Sequence, residues 1–230
     1  MNAATPALGE DDAALADLAS RGASALALPL APSEVRRLIA YVRLIERWNA
    51  TYNLTAIRDP RSMVVQHVLD CLAAAAALGR RRGAGRGERL VDVGSGAGLP
   101  GVVIAIAFPE REITCIDSVG KKAAFITQAA GTLGLRNVKA LHSRAENIVD
   151  RFDVIASRAF ASLSEFVAAT GHLLKDSGTW MAMKGKTPED ELAGLAEGLT
   201  FHVEPLIVPM LPAERCVIWI DHRSEASARS

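Results

Sequence analysis

The sequence has no excess of charge. Its 26 basic and 26 acidic residues cancel. A globally basic nucleic-acid binder is therefore excluded, and any footprint of such a partner has to be local. Cysteine is scarce. Cys71, Cys115 and Cys216 are odd in number and far apart. They form neither a CxxC pair nor a Cys/His spacing, so no metal is expected and the thiols read as unpaired in a reducing compartment. The opening MNAATPALGEDD has no basic start and no apolar centre, so it does not read as a secretory signal. No apolar run approaches the roughly 20 residues of a bilayer span, so no membrane partner is expected. Internal repeats and heptads are also missing, which makes a monomer the default. What remains is a 230-residue chain, 50% apolar and 23% charged. That describes one cytoplasmic globular domain with a small extra element.

The pattern along the chain divides it. Residues 1–32 are Ala-rich and punctuated by Pro6, Pro29 and Pro32. They read as a flexible N-terminal extension with a weak helix over 11–27. Residues 33–82 form a helical cap. Ser33 is a possible N-cap, and Val35, Leu38, Ile39, Val42, Ile45 and Trp48 recur at helical spacing. NATYNLTAI (49–57) interrupts that pattern, and Pro60 opens a second helix carrying His67, Asp70 and Cys71. The arginine- and glycine-rich run 80–89, the most basic stretch, reads as a clamp on RNA or as an exposed linker into the main domain, the linker's boundaries at 83–89.

From 90 to 222 strands and helices alternate, leaving a tail at 223–230. Strands are expected at 90–94, 112–118, 138–143, 152–160, 178–186, 201–208 and 216–221, with helices at 100–108, 121–133, 162–174 and 188–199. That alternation implies βαβ crossovers and a mostly parallel sheet. Only residues 209–215 separate the last two strands. That is too short for a helical crossover, so they should pair antiparallel.

LVDVGSGAGLPG (90–101) places four glycines behind the first strand. In such sheets ligands bind beyond the carboxyl ends of the strands, next to free helix N–H groups. Glycines at 94, 96 and 98, with Leu99 in the sixth place, depart from the dinucleotide GxGxxG pattern. With Asp117 ending the next strand, the loop resembles that of class I S-adenosylmethionine-dependent methyltransferases. A carboxylate there can accept both ribose hydroxyls of a nucleoside. Asp117 also reads as a helix N-cap, Glu146 as a surface carboxylate, and the glycines as a tight turn.

Arg158 follows the fourth strand, in the loop that faces the acceptor in such enzymes. Ser157–Phe160 (SRAF) lacks the prolines of the D/N-P-P-Y/F loop by which exocyclic amines are methylated. Carbon methylation needs a cysteine nucleophile, but Cys115 lies inside a strand, and Cys71 and Cys216 are expected outside the site. A ring nitrogen needs neither device. Guanine N7 carries a free lone pair, so catalysis reduces to alignment, and Arg158 can address guanine O6. Phe160 reads as a base-stacking residue or as core.

Several motifs then agree. VDVGSGAGLPG, the IDS acid, SRAE (143–146), SRAF (157–160), MKGK (183–186), WNATYNLTAI (48–57) and HVLDCL (67–72) stand in one order. Together they resemble the glucose-inhibited division protein B family of small-subunit ribosomal RNA methyltransferases, over roughly residues 33–222. The resemblance implies a Rossmann-like seven-stranded α/β fold with an N-terminal helical cap. It implies methyl transfer from S-adenosylmethionine to N7 of one guanine in a decoding-site loop of 16S ribosomal RNA. The implied cofactor residues are Gly94, Ser95, Gly96, Gly98, Leu99, Asp117, Ser118, Ala145, Glu146 and Arg158, with Arg158 also catalytic. On the RNA side stand Asn53, His67, Asp70, Lys184 and Lys186. Cys71 stands where the family more often has serine, which puts a hydroxyl role there in doubt. His67, Asp70, Asn53 and Thr55 also read as ties between cap and sheet, and the two lysines as a solvated strand end. The rival readings are a methyltransferase of a small molecule and a non-catalytic RNA-binding protein on the same fold.

Overall fold

The computed structural model describes residues 9–158 and 160–223. Its strands are β1 (Arg89–Val93), β2 (Glu112–Asp117), β3 (Val138–His142), β4 (Phe152–Ser157), β5 (Leu174–Lys184), β6 (Leu199–Leu206) and β7 (Arg215–His222). They form one seven-stranded sheet in the order β3-β2-β1-β4-β5-β7-β6. The first five are mutually parallel, and β7 runs antiparallel between β5 and β6. The expected antiparallel pair is present.

β1 shows why the sheet is covered on both sides. Leu90 joins one core cluster, while Val91 and Val93 join the other, as alternation along a strand requires. Helices α5 (Gly101–Ala107) and α6 (Gly120–Leu133) cover the first face, and α7 (Leu163–Thr170) with Trp180 fills the second. The short α8 (Glu189–Ala193) stops well before the expected 199. β5 starts at Leu174 rather than 178, after a single 3-10 turn over Gly171–Leu173.

The cap comprises α1 (Glu10–Ala25), α2 (Pro32–Tyr52), α3 (Pro60–Met63) and α4 (Asp70–Arg82). α2 begins at Pro32, not after Ser33. Glu34 accepts a hydrogen bond from the Ala31 N–H at 2.6 Å, and Pro32 fills a first-turn position that needs no donor. α2 also runs past the expected break to Tyr52, where Asn53 caps it in the left-handed region at φ 48°. α3 and α4 are joined by a π-helical stretch, Val64–Leu69, that carries His67.

Three expectations need correction. The first 32 residues are no loose extension where they are described. α1 buries Leu15, Leu18, Ala19 and Ala23 in the same cluster as α2 and the sheet. Alanine stripes read as weak because each buries little area, but here they let helices approach closely. The 83–89 segment is not a free linker. It wraps Arg111, whose buried guanidinium bonds Glu88 and the Gly83 carbonyl. Lastly, the helix Pro60–Arg82 is apolar and long enough to cross a bilayer, a run that Asp70 hides in the sequence. Its apolar window is 78% buried inside the molecule.

Candidate functional site

β1 lies between β2 and β4, so the chain winds outward in both directions from it. The crevice of such a sheet opens at the carboxyl ends of these strands. There Gly94 and Ser95 donate to the Ile116 carbonyl at 2.9 and 3.0 Å. The Gly96 N–H donates to Asp117 Oδ2 at 2.9 Å, and the Val119 N–H to Asp117 Oδ1 at 2.9 Å. The glycine loop and the acid are thus bonded to each other.

The four glycines divide by what a side chain would meet. At Gly94 and Gly96, both at positive φ, a Cβ would enter open space. At Gly98 it would lie 2.6 Å from Val102, and at Gly101 2.6 Å from the Cys115 sulfur. The first pair keeps a cradle free, and the second lets α5 pack on the sheet. Gly94, Asp117, Ser118, Ala145, Glu146, Arg144 and Phe160 line a cleft of about 240 Å³. Ser95 and Leu99 are buried and do not line it. Asp92, which sequence reasoning passed over, is fully buried under the loop and accepts from the Gly101 N–H at 2.9 Å. Its other oxygen has no partner among the described residues, and burial pushes its carboxyl up to about 7.

Arg158 turns away from this cleft toward the cap. Its guanidinium lies 3.4 Å from Asp70, 3.8 Å from the Cys71 sulfur and 3.3 Å from His67 Nδ1. Asp70 also accepts from Arg215 Nε at 3.0 Å, so one buried carboxylate serves two arginines. Burial raises the Asp70 carboxyl, and the two arginines oppose that shift. His67 Nδ1 lies 3.3 Å from Arg158 and 3.2 Å from the Gln66 carbonyl, and its Nε2 lies 2.8 Å from Thr55 Oγ1. Burial, then Arg158, lowers His67 to about 4, which keeps the ring neutral. The Thr55 N–H is fixed by Asn49 Oδ1 at 2.9 Å.

His67, Asp70, Arg158, Lys184, Arg215 and Gln66 line a second cleft of about 340 Å³ beside the first. The structure thus brings together most of the residues expected on the substrate side. It adds Arg215 and Gln66, for which the sequence offered no signal. Asn53 stays outside, exposed at the end of α2 and bonded to Arg58 at 2.9 Å. Lys184 is tied to Glu191 at 2.9 Å, while Lys186 is exposed. The arginine run is likewise occupied: Arg80 pairs with Glu204, Arg81 with Asp221 and Arg82 with Glu88.

A family model described as "rRNA small subunit methyltransferase G" matches residues 34–218. The chain belongs to that family. A ribosomal RNA small subunit methyltransferase G of Acidovorax ebreus is 52% identical over 207 residues, covering 86% of this chain and 92% of the relative. One from Methylibium petroleiphilum is 51% identical over 215 residues, covering 93% and 96%. As a member of the methyltransferase G family, the chain is a methyltransferase enzyme.

Solved structures bear on the fold alone. A Thermus thermophilus 16S rRNA N2 methyltransferase, solved with AdoMet and guanosine, aligns with TM-score 0.53 at 20% identity. That alignment covers 67% of this chain and 43% of the other. The mitomycin 7-O-methyltransferase MmcR aligns with TM-score 0.57 at 16% identity over 79% of this chain and 60% of its own. The sheet order and these neighbours are those of class I S-adenosylmethionine-dependent methyltransferases. The methyltransferase G match begins at α2, so α1 lies outside it.

Proposed function

We propose that this enzyme transfers a methyl group from S-adenosylmethionine to N7 of a guanine in the decoding-site loop of 16S ribosomal RNA. The observation that carries the reading is the pair of clefts, one lined by Phe160 and the other by Arg158, two residues apart in the chain. The residues present suit the donor. Open space above Gly94 and Gly96 admits a ligand against bare backbone. Asp117 offers a carboxylate already at the cleft wall for the ribose. When bound, the donor supplies an electrophilic methyl on a sulfonium.

The chain's own residues then have to bind and align. Gly94, Gly96, Asp117 and Ser118 hold the nucleoside, while Ala145 and Glu146 border the base. Arg158 is presented to the acceptor side by Asp70 and His67, where its guanidinium can donate to guanine O6. No residue has to remove a proton, because N7 attacks through its lone pair. The described residues of this loop include no proline clamp. Cys71 and Cys216, expected outside the site, do stand at the cap cleft, but burial pushes the Cys71 thiol up to about 12 and raises that of Cys216, so both stay protonated. Catalysis on this reading is alignment and exclusion of water. Lys186 borders the RNA, while Lys184 stays paired with Glu191 and Asn53 with Arg58. The partner is 16S ribosomal RNA or the small subunit that contains it. The enzyme acts in the cytoplasm as a monomer, without a metal.

The experiment is to incubate the protein and labelled S-adenosylmethionine with unmethylated 16S RNA and map the modified nucleotide. A single 7-methylguanosine in the decoding-site loop is the expected result. Methyl on another atom, or only on a small molecule, overturns the assignment.

A further inference from the structure

The glycine loop is anchored almost wholly by its own strands. Ile116, Asp117 and Asp92 hold its N–H groups, and Ser95 Oγ returns to the Asp92 carbonyl at 2.7 Å. One anchor comes from elsewhere. The Tyr41 hydroxyl, 56 residues upstream on α2, donates to the Ala97 carbonyl at the centre of the loop. Tyr41 is fully buried, and Ala97 is 4% exposed. The fit is close: a Cβ on Gly98 would lie 3.2 Å from that hydroxyl. The Tyr41 ring stacks on Phe125 of α6 at 6.3 Å, and Trp48 meets the same Phe125 edge-on at 5.3 Å. The hydroxyl is therefore aimed by the packing of its ring on Phe125, which Trp48 in turn braces.

We propose that Tyr41 is a positioning residue for the donor cleft: the cap helix α2, through this hydroxyl, holds the glycine loop in the shape that receives the donor. This rests on the reading of that cleft as the S-adenosylmethionine site. Without the hydroxyl, the Ala97 carbonyl is a buried acceptor with no partner, and the loop moves to satisfy it. Movement there displaces Gly96, whose outer face must stay clear for the ligand. The same helix carries Asn49, two turns further on, which fixes Thr55 and through it His67 and Arg158. α2 thus touches the donor loop and the acceptor network about 12 Å apart along one rigid axis. The cap belongs to the donor site as much as to the RNA side, and any coupling between the two ligands runs both ways.

Tyr41→Phe deletes the hydroxyl and keeps the ring on Phe125. Ile45→Val, on the same helix and fully buried, loosens α2 without touching the loop. Calorimetric titration with S-adenosylmethionine compares both with wild type. Tyr41→Phe is expected to weaken donor binding about five- to ten-fold, the loss of one buried hydrogen bond. Ile45→Val should bind as wild type does. In turnover the KM for the donor rises with that Kd, while kcat and the KM for RNA stay within about two-fold. Donor affinity unchanged in Tyr41→Phe, or reduced equally in Ile45→Val, overturns the proposal. A wild-type protein that fails to bind the donor overturns the proposed function instead. If Tyr41→Phe does not fold, hydrogen exchange on wild type decides. Donor must slow exchange in residues 38–45, and unchanged exchange there overturns the proposal.

Discussion

The two clefts lie side by side and are built in opposite ways. The donor cleft is made of backbone. Its loop, its acid and its far wall are short segments at the ends of neighbouring parallel strands, and their bonds are chiefly to peptide groups. The cap cleft is made of side chains. Arg158 reaches Asp70 across 88 residues, and Arg215 reaches the same carboxylate across 145. A backbone site tolerates change in most of its side chains but not added bulk. A side-chain network tolerates bulk at its margins but not the loss of a charge. Each difference can be tested by substitution.

The largest effect is expected at Gly96. Gly96→Asp places a side chain and a charge in the open cradle and at φ 60°. Only the Gly94 carbonyl, 4.0 Å away, lies near the new Cβ. The fold is therefore expected to persist while donor affinity falls by about 1,000-fold or more, since steric exclusion and like charge beside Asp117 act together. Calorimetry measures the loss, and circular dichroism checks the fold. Donor binding within about ten-fold of wild type would remove the cradle from the site.

Asp70→Ala should show the reverse profile. It strips the shared partner from Arg158 and Arg215, leaving two guanidinium groups to repel each other in a half-buried cleft. Arg158 then loses the partner that aims it at the acceptor, and a misalignment of that kind should lower the methylation rate about 100-fold. Donor Kd should remain near that of wild type, because Asp70 touches nothing in the glycine loop. A matching loss of donor affinity would mean that the clefts are not separable in this way.

A smaller effect is written in pH. His67 is held neutral at about 4, below its ordinary 6.5. The unfolded chain therefore binds more protons between those values, and this part of the stability is lost as pH falls from 6.5 toward 4. Asp92 opposes it: its raised carboxyl takes up a proton in the folded state first, and so favours the fold as pH drops below about 7. Removing the imidazole isolates the first effect. His67→Gln should be less sensitive to acid than wild type, gaining about 2 kcal/mol relative to it between pH 7 and pH 5. Denaturant titration at the two pH values measures the difference. Parallel curves would show that His67 is not held neutral by the fold.

This contrast also explains what could be read in advance. The parallel sheet, the antiparallel last pair and the glycine loop with its acid were legible because each is a local pattern: glycines behind an apolar strand, an acid ending the next. The cap cleft was legible only in part. His67 and Asp70 could be singled out by spacing on one helical face. That Asp70 meets Arg215 follows from the β6–β7 hairpin folding back beside the cap, which no local pattern encodes. The packing of α1 was missed because an alanine surface carries a faint periodic signal. The tie from Tyr41 to Ala97 was missed because a tyrosine on an apolar stripe looks like core, and here it is core and anchor at once.

The two lysines at the end of β5 divide along the same line, and the smallest predicted effect lies between them. Sequence alone makes Lys184 and Lys186 equivalent candidates for RNA phosphate. In the fold Lys184 is spent inside the molecule. Both oxygens of Glu191 lie within 3.0 Å of its Nζ, and the same carboxylate holds the Leu163 N–H at the start of α7. Lys186 is exposed two residues on. A cation already neutralised by its own chain releases few counterions when RNA binds, whereas a free one releases about one. Lys186→Ala should therefore reduce the slope of log affinity against log salt by about 1, with little change in fold stability. Lys184→Ala should leave that slope nearly unchanged and lower the melting temperature, since Glu191 is left without its counter-charge beside α7. Equal slopes for the two variants would mean that Lys184 leaves Glu191 for the RNA. The 184–191 pair would then be a latch on the acceptor loop rather than part of the frame.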